Sequence, residues 1–292
     1  MKPSPFAFAR PGTLDEAVGT LAEAVKKGTD AKVLAGGQSL VPLLSMRLAA
    51  PAMLVDINAV PGLDQVTCDP SGVRVGALAR HAAVLRDAEA RRVQPLLAMA
   101  LANVAHPTIR NRGTTVGSLV HADSAAEMPA VLALLGGSVD VLSVRGRRTI
   151  EAADLFAGPM ESTLAHDEIA VEAFFPALAP GDGVGFVEIA RRHGDYAMCG
   201  VAATVTLADG VVTSARASYL SVSEVPTVVD LTSAVGAAVD EESLARAGEA
   251  ALGELDPQAD IHATAAYRAQ LVRVLTARVL RAALDDAKER AA

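Results

Sequence analysis

The sequence has no tryptophan, six phenylalanines and three tyrosines, so aromatic rings make up only 3% of its 292 residues. Readers of single-stranded nucleic acid stack bases on aromatic side chains along a basic groove. With 26 basic against 34 acidic residues and a net charge of −8, the chain lacks both rings and positive charge, which argues against a nucleic-acid partner. Cysteine is as scarce. Cys68 and Cys199 are too few for a four-cysteine iron–sulfur cluster or a Cys-x-x-Cys zinc site, and two reduced, buried thiols are expected. No apolar run approaches the roughly 18 residues of a membrane span, and Met1-Lys2-Pro3-Ser4-Pro5-Phe6 lacks the apolar stretch of a secretion signal. The expectation is a cytoplasmic protein with no membrane span. Nucleophile-elbow, Walker A and His-Glu-x-x-His motifs are missing too. His106 and His121 sit in no metal-ligand spacing and read as structural or surface residues. With no nucleophile–base pair in view, the reactive group is expected to belong to a cofactor.

What is there is a length for one large or two modest domains and 51% apolar residues, enough for a core without staples. Thr13-Leu14-Asp15-Glu16 has the form of a capping box, and Leu14, Val18, Leu21 and Val25 follow at helical spacing until Gly28. A strand over 32–35 runs into Gly36-Gly37-Gln38-Ser39-Leu40, where Ser39 is a plausible N-cap for the next helix. A strand over 53–57 completes a β–α–β unit. Val73 and Val75 alternate as in a strand. Helices are expected over 80–92, 94–104 and 124–135, and a strand over 139–144 with a turn at Arg145-Gly146. The Pro- and Gly-rich stretch 176–185 is the best domain boundary. Strand-like runs follow at 185–190, 202–207, 211–219 and 225–229, with Asp209-Gly210 as a hairpin turn, and helices at 241–253 and 264–288 close the chain.

Two glycine-bearing loops carry the chemical signal. Ala35-Gly36-Gly37-Gln38-Ser39-Leu40 joins a strand to a helix; Gly113-Thr114-Thr115-Val116-Gly117-Ser118-Leu119 precedes a second helix. A dinucleotide pyrophosphate needs backbone N–H donors at close range, and glycine lets the backbone approach. Either loop alone is equally well a structural turn, and the Rossmann Gly-x-Gly-x-x-Gly is absent. Asp123 and Glu127 after the second loop suit sugar hydroxyls, or else the positive end of their own helix.

The stretch from Ala35 to Leu44, with Arg47-Leu48 and Leu54-Val55-Asp56-Ile57-Asn58, resembles the FAD-binding medium subunit of molybdenum hydroxylases, the carbon monoxide dehydrogenase and xanthine dehydrogenase relatives. His106-Pro107-Thr108-Ile109-Arg110-Asn111-Arg112-Gly113-Thr114, His121-Ala122-Asp123 and Met128-Pro129-Ala130 continue the likeness. Phe186, Glu188, Arg191-Arg192, Gly194-Asp195-Tyr196, Ala202 and Tyr267-Arg268 extend it through the second half. The resemblance implies an α+β fold: a two-part FAD-binding module of the vanillyl-alcohol-oxidase (PCMH) type over 1–176, then a smaller α+β domain over 177–292. It implies an FAD-dependent oxidoreductase subunit that takes electrons from [2Fe–2S] clusters on an iron–sulfur small subunit and passes them to an external acceptor. A molybdenum-cofactor large subunit would oxidise the substrate. By the resemblance Lys32, Val33, Leu34, Ala35, Gly36, Gly37, Gln38, Ser39 and Leu40 line the FAD, as do Thr114, Thr115, Gly117 and Ser118. Glu127 stands for the family's usual Asp near the ribityl chain, and Tyr196 lies near the isoalloxazine. Two alternatives share the fold: a stand-alone enzyme acting on a small metabolite, and a cofactor-free scaffold subunit.

The chain departs from the family's Gly-Thr-Ile-Gly-Gly-Asn at Val116, which replaces a glycine. If that position needs a positive φ, a β-branched residue is strained there; if glycine served close approach, the Val side chain presses on the pyrophosphate, and either way FAD occupancy suffers. Ser124 replaces a Pro, and Ser221-Val222-Ser223-Glu224 stands where relatives often carry glycine.

Overall fold

The computed structural model describes residues 2–237 and 239–291. Its first layer comprises β1 (Ala7–Ala9), α1 (Leu14–Lys26), β2 (Ala31–Leu34), α2 (Leu40–Met46) and β3 (Met53–Asp56). The strands are parallel in the order β1-β3-β2, with Ala7 and Ala31 both opposite Met53, so the expected β–α–β unit is present. Thr13 caps α1, accepting from the Glu16 N–H at 3.2 Å. The box does not close on Thr13, because the Glu16 carboxylate accepts from the Gly12 N–H at 2.8 Å instead. Ser39 does precede α2, but with helical backbone and no capping hydrogen bond.

The chain continues through β4 (Val66–Asp69), β5 (Gly72–Gly76), α3 (His81–Arg86), α4 (Ala88–Val93), α5 (Pro95–Asn103), α6 (Pro107–Arg110), α7 (Thr115–His121) and α8 (Glu127–Leu135). Then come β6 (Ser138–Ser143), β7 (Gly146–Glu151), α9 (Ala152–Leu155), β8 (Phe156–Gly158), β9 (Glu161–Ser162) and β10 (Ile169–Pro176). An antiparallel sheet of order β4-β5-β10-β6-β7 backs these helices. The helix expected over 80–92 is two helices, because Asp87 ends α3 and its carboxylate caps α4 by accepting from the Ala90 N–H at 2.9 Å. The helix expected from Ser124 begins at Glu127, and a separate helix, α7, starts inside the second glycine loop. Thr114 caps it, accepting from the Gly117 N–H at 3.2 Å. Val116 is therefore a helical residue without a positive φ, 2% exposed in the first core. The strain expected there does not arise.

The second half is an antiparallel sheet of β11 (Asp182–Ile189), β12 (Cys199–Ala208), β13 (Val211–Leu220) and β14 (Thr227–Asp230), followed by α10 (Thr232–Val235), α11 (Glu241–Gly253) and α12 (Ala265–Ala291). Asp209 and Gly210 both have positive φ, 53° and 77°, as a primed hairpin turn requires. The helices cover the sheet to make a second core, in which the Tyr219 hydroxyl meets Thr276 Oγ1 at 2.8 Å. Cys199 is buried there, and burial pushes its thiol up to about 12. Cys68 on β4 is only half-buried, contrary to expectation. Helix α8 of the first half packs against β12, β13 and β14, and the Ser221 N–H donates to the Ser124 carbonyl at 2.8 Å. The two halves thus meet along α8.

Candidate functional site

Strand β2 delivers Gly36-Gly37-Gln38-Ser39 to the start of α2, and the turn after α6 delivers Arg112-Gly113 to the start of α7. The two loops touch. A Cβ placed on Gly36 would lie 2.4 Å from the Arg112 carbonyl oxygen and 2.8 Å from Gly113 Cα. Gly37 turns the chain with φ 73°. Its N–H and those of Gln38 and Ser39 meet no acceptor among the described residues, so they stand free for a ligand at the turn into α2.

These loops open on a cleft of about 690 Å³, a size suited to a small-molecule or cofactor site. Of the residues singled out from sequence, Lys32, Val33, Leu34, Ala35, Gly36, Gly37, Gln38, Ser39, Leu40, Thr114, Gly117, Ser118, Glu127 and Tyr196 all line it. Thr115 does not. It is fully buried, and its hydroxyl meets His81 Nδ1 at 3.2 Å. Val116 reaches the floor of the cleft from the core side.

Sequence reasoning missed three side chains that set this geometry. Arg80 donates through Nη1 to the Arg112 carbonyl and through Nη2 to Asn58 Oδ1, both at 2.7 Å. Asn58 in turn donates through Nδ2 to the Ala35 carbonyl at 2.8 Å. The first loop is thus tied to the second through two side chains. His81, next along the chain, donates its backbone N–H to the Gly113 carbonyl at 3.0 Å and packs its ring against Gly113. It is 5% exposed, and burial together with the nearby Arg110 cation lowers it to about 4, so the imidazole is neutral at neutral pH. Asn58 closes a stretch already noted for its family likeness, but a lone Asn, Arg and His carry no spacing from which such a tie is read.

The far wall of the cleft is acidic. Glu127 is the first residue of α8. The helix dipole there favours an ionised carboxylate by about 0.3–1 kcal/mol, less than one pKa unit. Burial and the charge of Glu188 outweigh it, pushing Glu127 up to about 8. Asp123 is spent locally, accepting from the Ala125 N–H at 2.9 Å. Tyr196 comes from the second half. Gly194, with φ 87°, lets that segment lie directly on the Ala105 carbonyl and the His106 ring. Desolvation and the Asp123 and Glu127 carboxylates raise the Tyr196 phenol above its ordinary value, although the residue is 62% exposed. No group of His, Cys, Asp or Glu able to hold a metal ion occurs among the described residues, and none of their helices is long and apolar enough to cross a membrane.

Residues 4–178 match the family model of the FAD binding domain in molybdopterin dehydrogenase, and residues 185–283 match the CO dehydrogenase flavoprotein C-terminal domain. The chain belongs to the FAD-binding medium subunits of the molybdenum hydroxylases. It is 40% identical to the alpha subunit of the 6-hydroxypseudooxynicotine dehydrogenase complex of Paenarthrobacter nicotinovorans, over 99% of this chain and 97% of that one. The nicotine 6-hydroxylase medium subunit of the same organism is 39% identical over 96% of this chain and 98% of its own. The carbon monoxide dehydrogenase structure of Hydrogenophaga pseudoflava that lacks the Mo-pyranopterin moiety superposes with a TM-score of 0.91 at 31% identity, covering 100% of both chains. Quinoline 2-oxidoreductase of Pseudomonas putida 86 gives 0.90 at 35% identity, with the same coverage. This chain is therefore an oxidoreductase subunit with an FAD-binding domain and an electron-transfer role.

In this family member the Arg80 tie has a measurable consequence. A hydrogen bond to a charged group contributes about 1.5–3 kcal/mol, and Arg80 makes one to the second loop and one to Asn58, which holds the first. Arg80→Met is expected to weaken FAD binding about 10–100-fold, read by titrating FAD into apoprotein. Lysine is not expected to rescue it, since a single ammonium does not reproduce the fork.

Proposed function

We propose that the cleft holds FAD, with its diphosphate on the free N–H groups of Gly37, Gln38 and Ser39, opposite the Gly113–Ser118 turn. Lys32, Val33, Leu34, Ala35, Gly36 and Leu40 flank it on one side, with Thr114, Gly117 and Ser118 on the other. Thr115 acts from behind, by fixing His81. Glu127 faces the sugar hydroxyls and Tyr196 the ring system. The observation that carries this reading is the contact of Gly36 with Arg112 and Gly113, which brings two backbone-lined turns together on one cleft. Bound there, FAD supplies the one- and two-electron chemistry that the side chains lack.

On this reading residues 1–176 form the FAD-binding part and 177–292 the C-terminal part, supported by a second core drawn wholly from residues beyond 186, while Val184 and Ala202 of the second half join the first core. The electrons arrive from [2Fe–2S] clusters on an iron–sulfur small subunit and leave to an external acceptor, while a large subunit with the molybdenum cofactor oxidises the substrate. The names of the relatives, a medium subunit and a complex subunit alpha, support such an assembly, and its location is the cytoplasm. Val116 has no positive φ, which weakens the case for a cofactor-free scaffold, although it still lines the cleft. Absorption of the purified chain decides the matter. Flavin bands, present as isolated or after reconstitution and removed with released FAD, are the expected result. A chain that stays colourless after reconstitution refutes the proposal, and purification without iron–sulfur and molybdenum subunits would favour a stand-alone enzyme.

A further inference from the structure

Two carboxyl groups from opposite halves of the chain face each other at the seam between the halves. Glu127 and Ala130 lie three residues apart on α8 and share a face. Phe186 and Glu188 lie two apart on β11 and share a face. Ala130 and Phe186 pack in one apolar cluster with Ala197 and Leu220, so the two faces meet and Glu188 is turned towards Glu127. Glu188 does not line the cleft. Its Oε2 is enclosed and has no hydrogen-bond partner among the described residues, a costly state for a charged oxygen.

Besides Glu188 of β11, the groups that face Glu127 are Asp123 of the preceding loop, Arg110 of α6 and Tyr196 of the segment after β11. The Arg110 guanidinium is engaged with the Val104 and Ala105 carbonyls at 2.7 and 2.9 Å. Asp123 is held by Ala125. Neither closes an ion pair or hydrogen bond on Glu127 that would fix it as a carboxylate.

We propose that Glu127 and Glu188, facing each other across the seam between the two halves, titrate as a coupled pair, so that Glu127 meets the cofactor as a neutral acid and donates a hydrogen bond to it. The proposal rests on the FAD reading above. The sugar hydroxyls and phosphate oxygens of FAD accept hydrogen bonds, and the diphosphate is anionic. A protonated carboxyl has one O–H to give, whereas a carboxylate has none and repels. Glu188 acts on the cofactor only through Glu127 and is a positioning residue. Burial and Glu188 push Glu127 up to about 8, and burial pushes Glu188 up to about 7. The pair titrates as a unit. It gives up its protons in two steps, both above the ordinary carboxylate range.

FAD titrated into apoprotein from about pH 6 to 9.5 tests this by fluorescence. The dissociation constant is expected to stay level to about pH 8 and then rise about tenfold per unit. Glu127→Gln keeps a donor without the titration, so its affinity is expected to stay level throughout the pH range. Glu188→Gln removes the charge that adds to burial in raising Glu127, so the rise is expected at lower pH. The same rise persisting in Glu127→Gln, or unmoved in Glu188→Gln, overturns the proposal. A merely structural Glu188 changes affinity equally at every pH. Carbon-13 titration of glutamate carboxyls in the apoprotein, assigned with the two variants, needs no FAD. Both carboxyls titrating at ordinary values overturns the coupled pair, whereas raised midpoints in a chain that binds no FAD at any pH uphold the pair and sink the FAD reading alone.

Discussion

Gly36→Ala is expected to raise the FAD dissociation constant by up to about 100-fold while leaving the chain folded. The added methyl would sit 2.4 Å from the Arg112 carbonyl oxygen and 2.8 Å from Gly113 Cα. Both obstacles are backbone, so no rotamer change relieves them. Gly36 has no positive φ, hence alanine is acceptable to the local chain and the whole penalty falls on the approach of the two loops. Arg80 and Asn58 hold those loops together from the other side, so separating them also works against three hydrogen bonds. Overpacking of this kind costs about 1–3 kcal/mol, and about 2.8 kcal/mol of lost binding energy is a factor of about 100. Gly19→Ala is the control. Its Cβ meets nothing within 4 Å in α1, and a helix glycine replaced by alanine gains about 0.5–1 kcal/mol. Circular dichroism melts and FAD titration of both variants separate the effects. Unchanged FAD affinity in Gly36→Ala would mean that the contact between the loops does not shape the site.

How much of this was legible in the sequence depended on how local each signal was. Helix α1 announces itself through Thr13 and the spacing of Leu14, Val18 and Leu21, and the first glycine loop is bracketed by two strands and a helix. The hairpin at Asp209-Gly210 needs only its own two residues. Strand β10 was missed, although it lies at the centre of the five-stranded sheet. Its sequence, Ile169 to Pro176, is mostly apolar on both faces because helices and the sheet's neighbours bury much of it, so no alternation marks it. Asp87 reads as one more polar helix residue, and only its bond to Ala90 N–H shows that it divides two helices. The second glycine loop misled for the opposite reason. Thr115, Val116 and Gly117 are poor helix formers, yet burial of Thr115 and Val116 in the core and the Thr114 cap make them the first turn of α7. Family likeness located the loops, while the tie through Arg80 and Asn58 joins residues 22 or more apart in the chain and exists only once the fold does.

The scarcity of large rings has a counterpart in how the second half is packed, and a glycine there carries the other large effect. Strand β11 lies directly on the backbone of α12. A Cβ on Gly183 would fall 2.1 Å from the Ala283 carbonyl oxygen and 2.2 Å from the Ala287 nitrogen, and one on Gly185 would fall 2.8 Å from the Val279 carbonyl oxygen. Ala283 and Ala287 are fully buried against the strand, so small residues on both partners set the distance. Asp286 adds a pin, accepting from the Val184 N–H at 2.9 Å. Gly183→Val is expected to lift α12 off the sheet and destabilise the protein by about 3 kcal/mol, the upper end for overpacking. For a unit of this size that lowers the melting temperature by about 6–12 °C. Gly253→Ala, whose Cβ meets nothing within 4 Å, should leave the melt close to wild type. The damage reaches the cleft as well, because β11 carries Glu188 and leads into the Gly194–Tyr196 segment. In Gly183→Val, FAD is expected to bind more weakly even below the melt. A variant that melts like wild type would show that α12 can recede from β11 at no cost, and that the glycines of this strand do not set the packing of the second half.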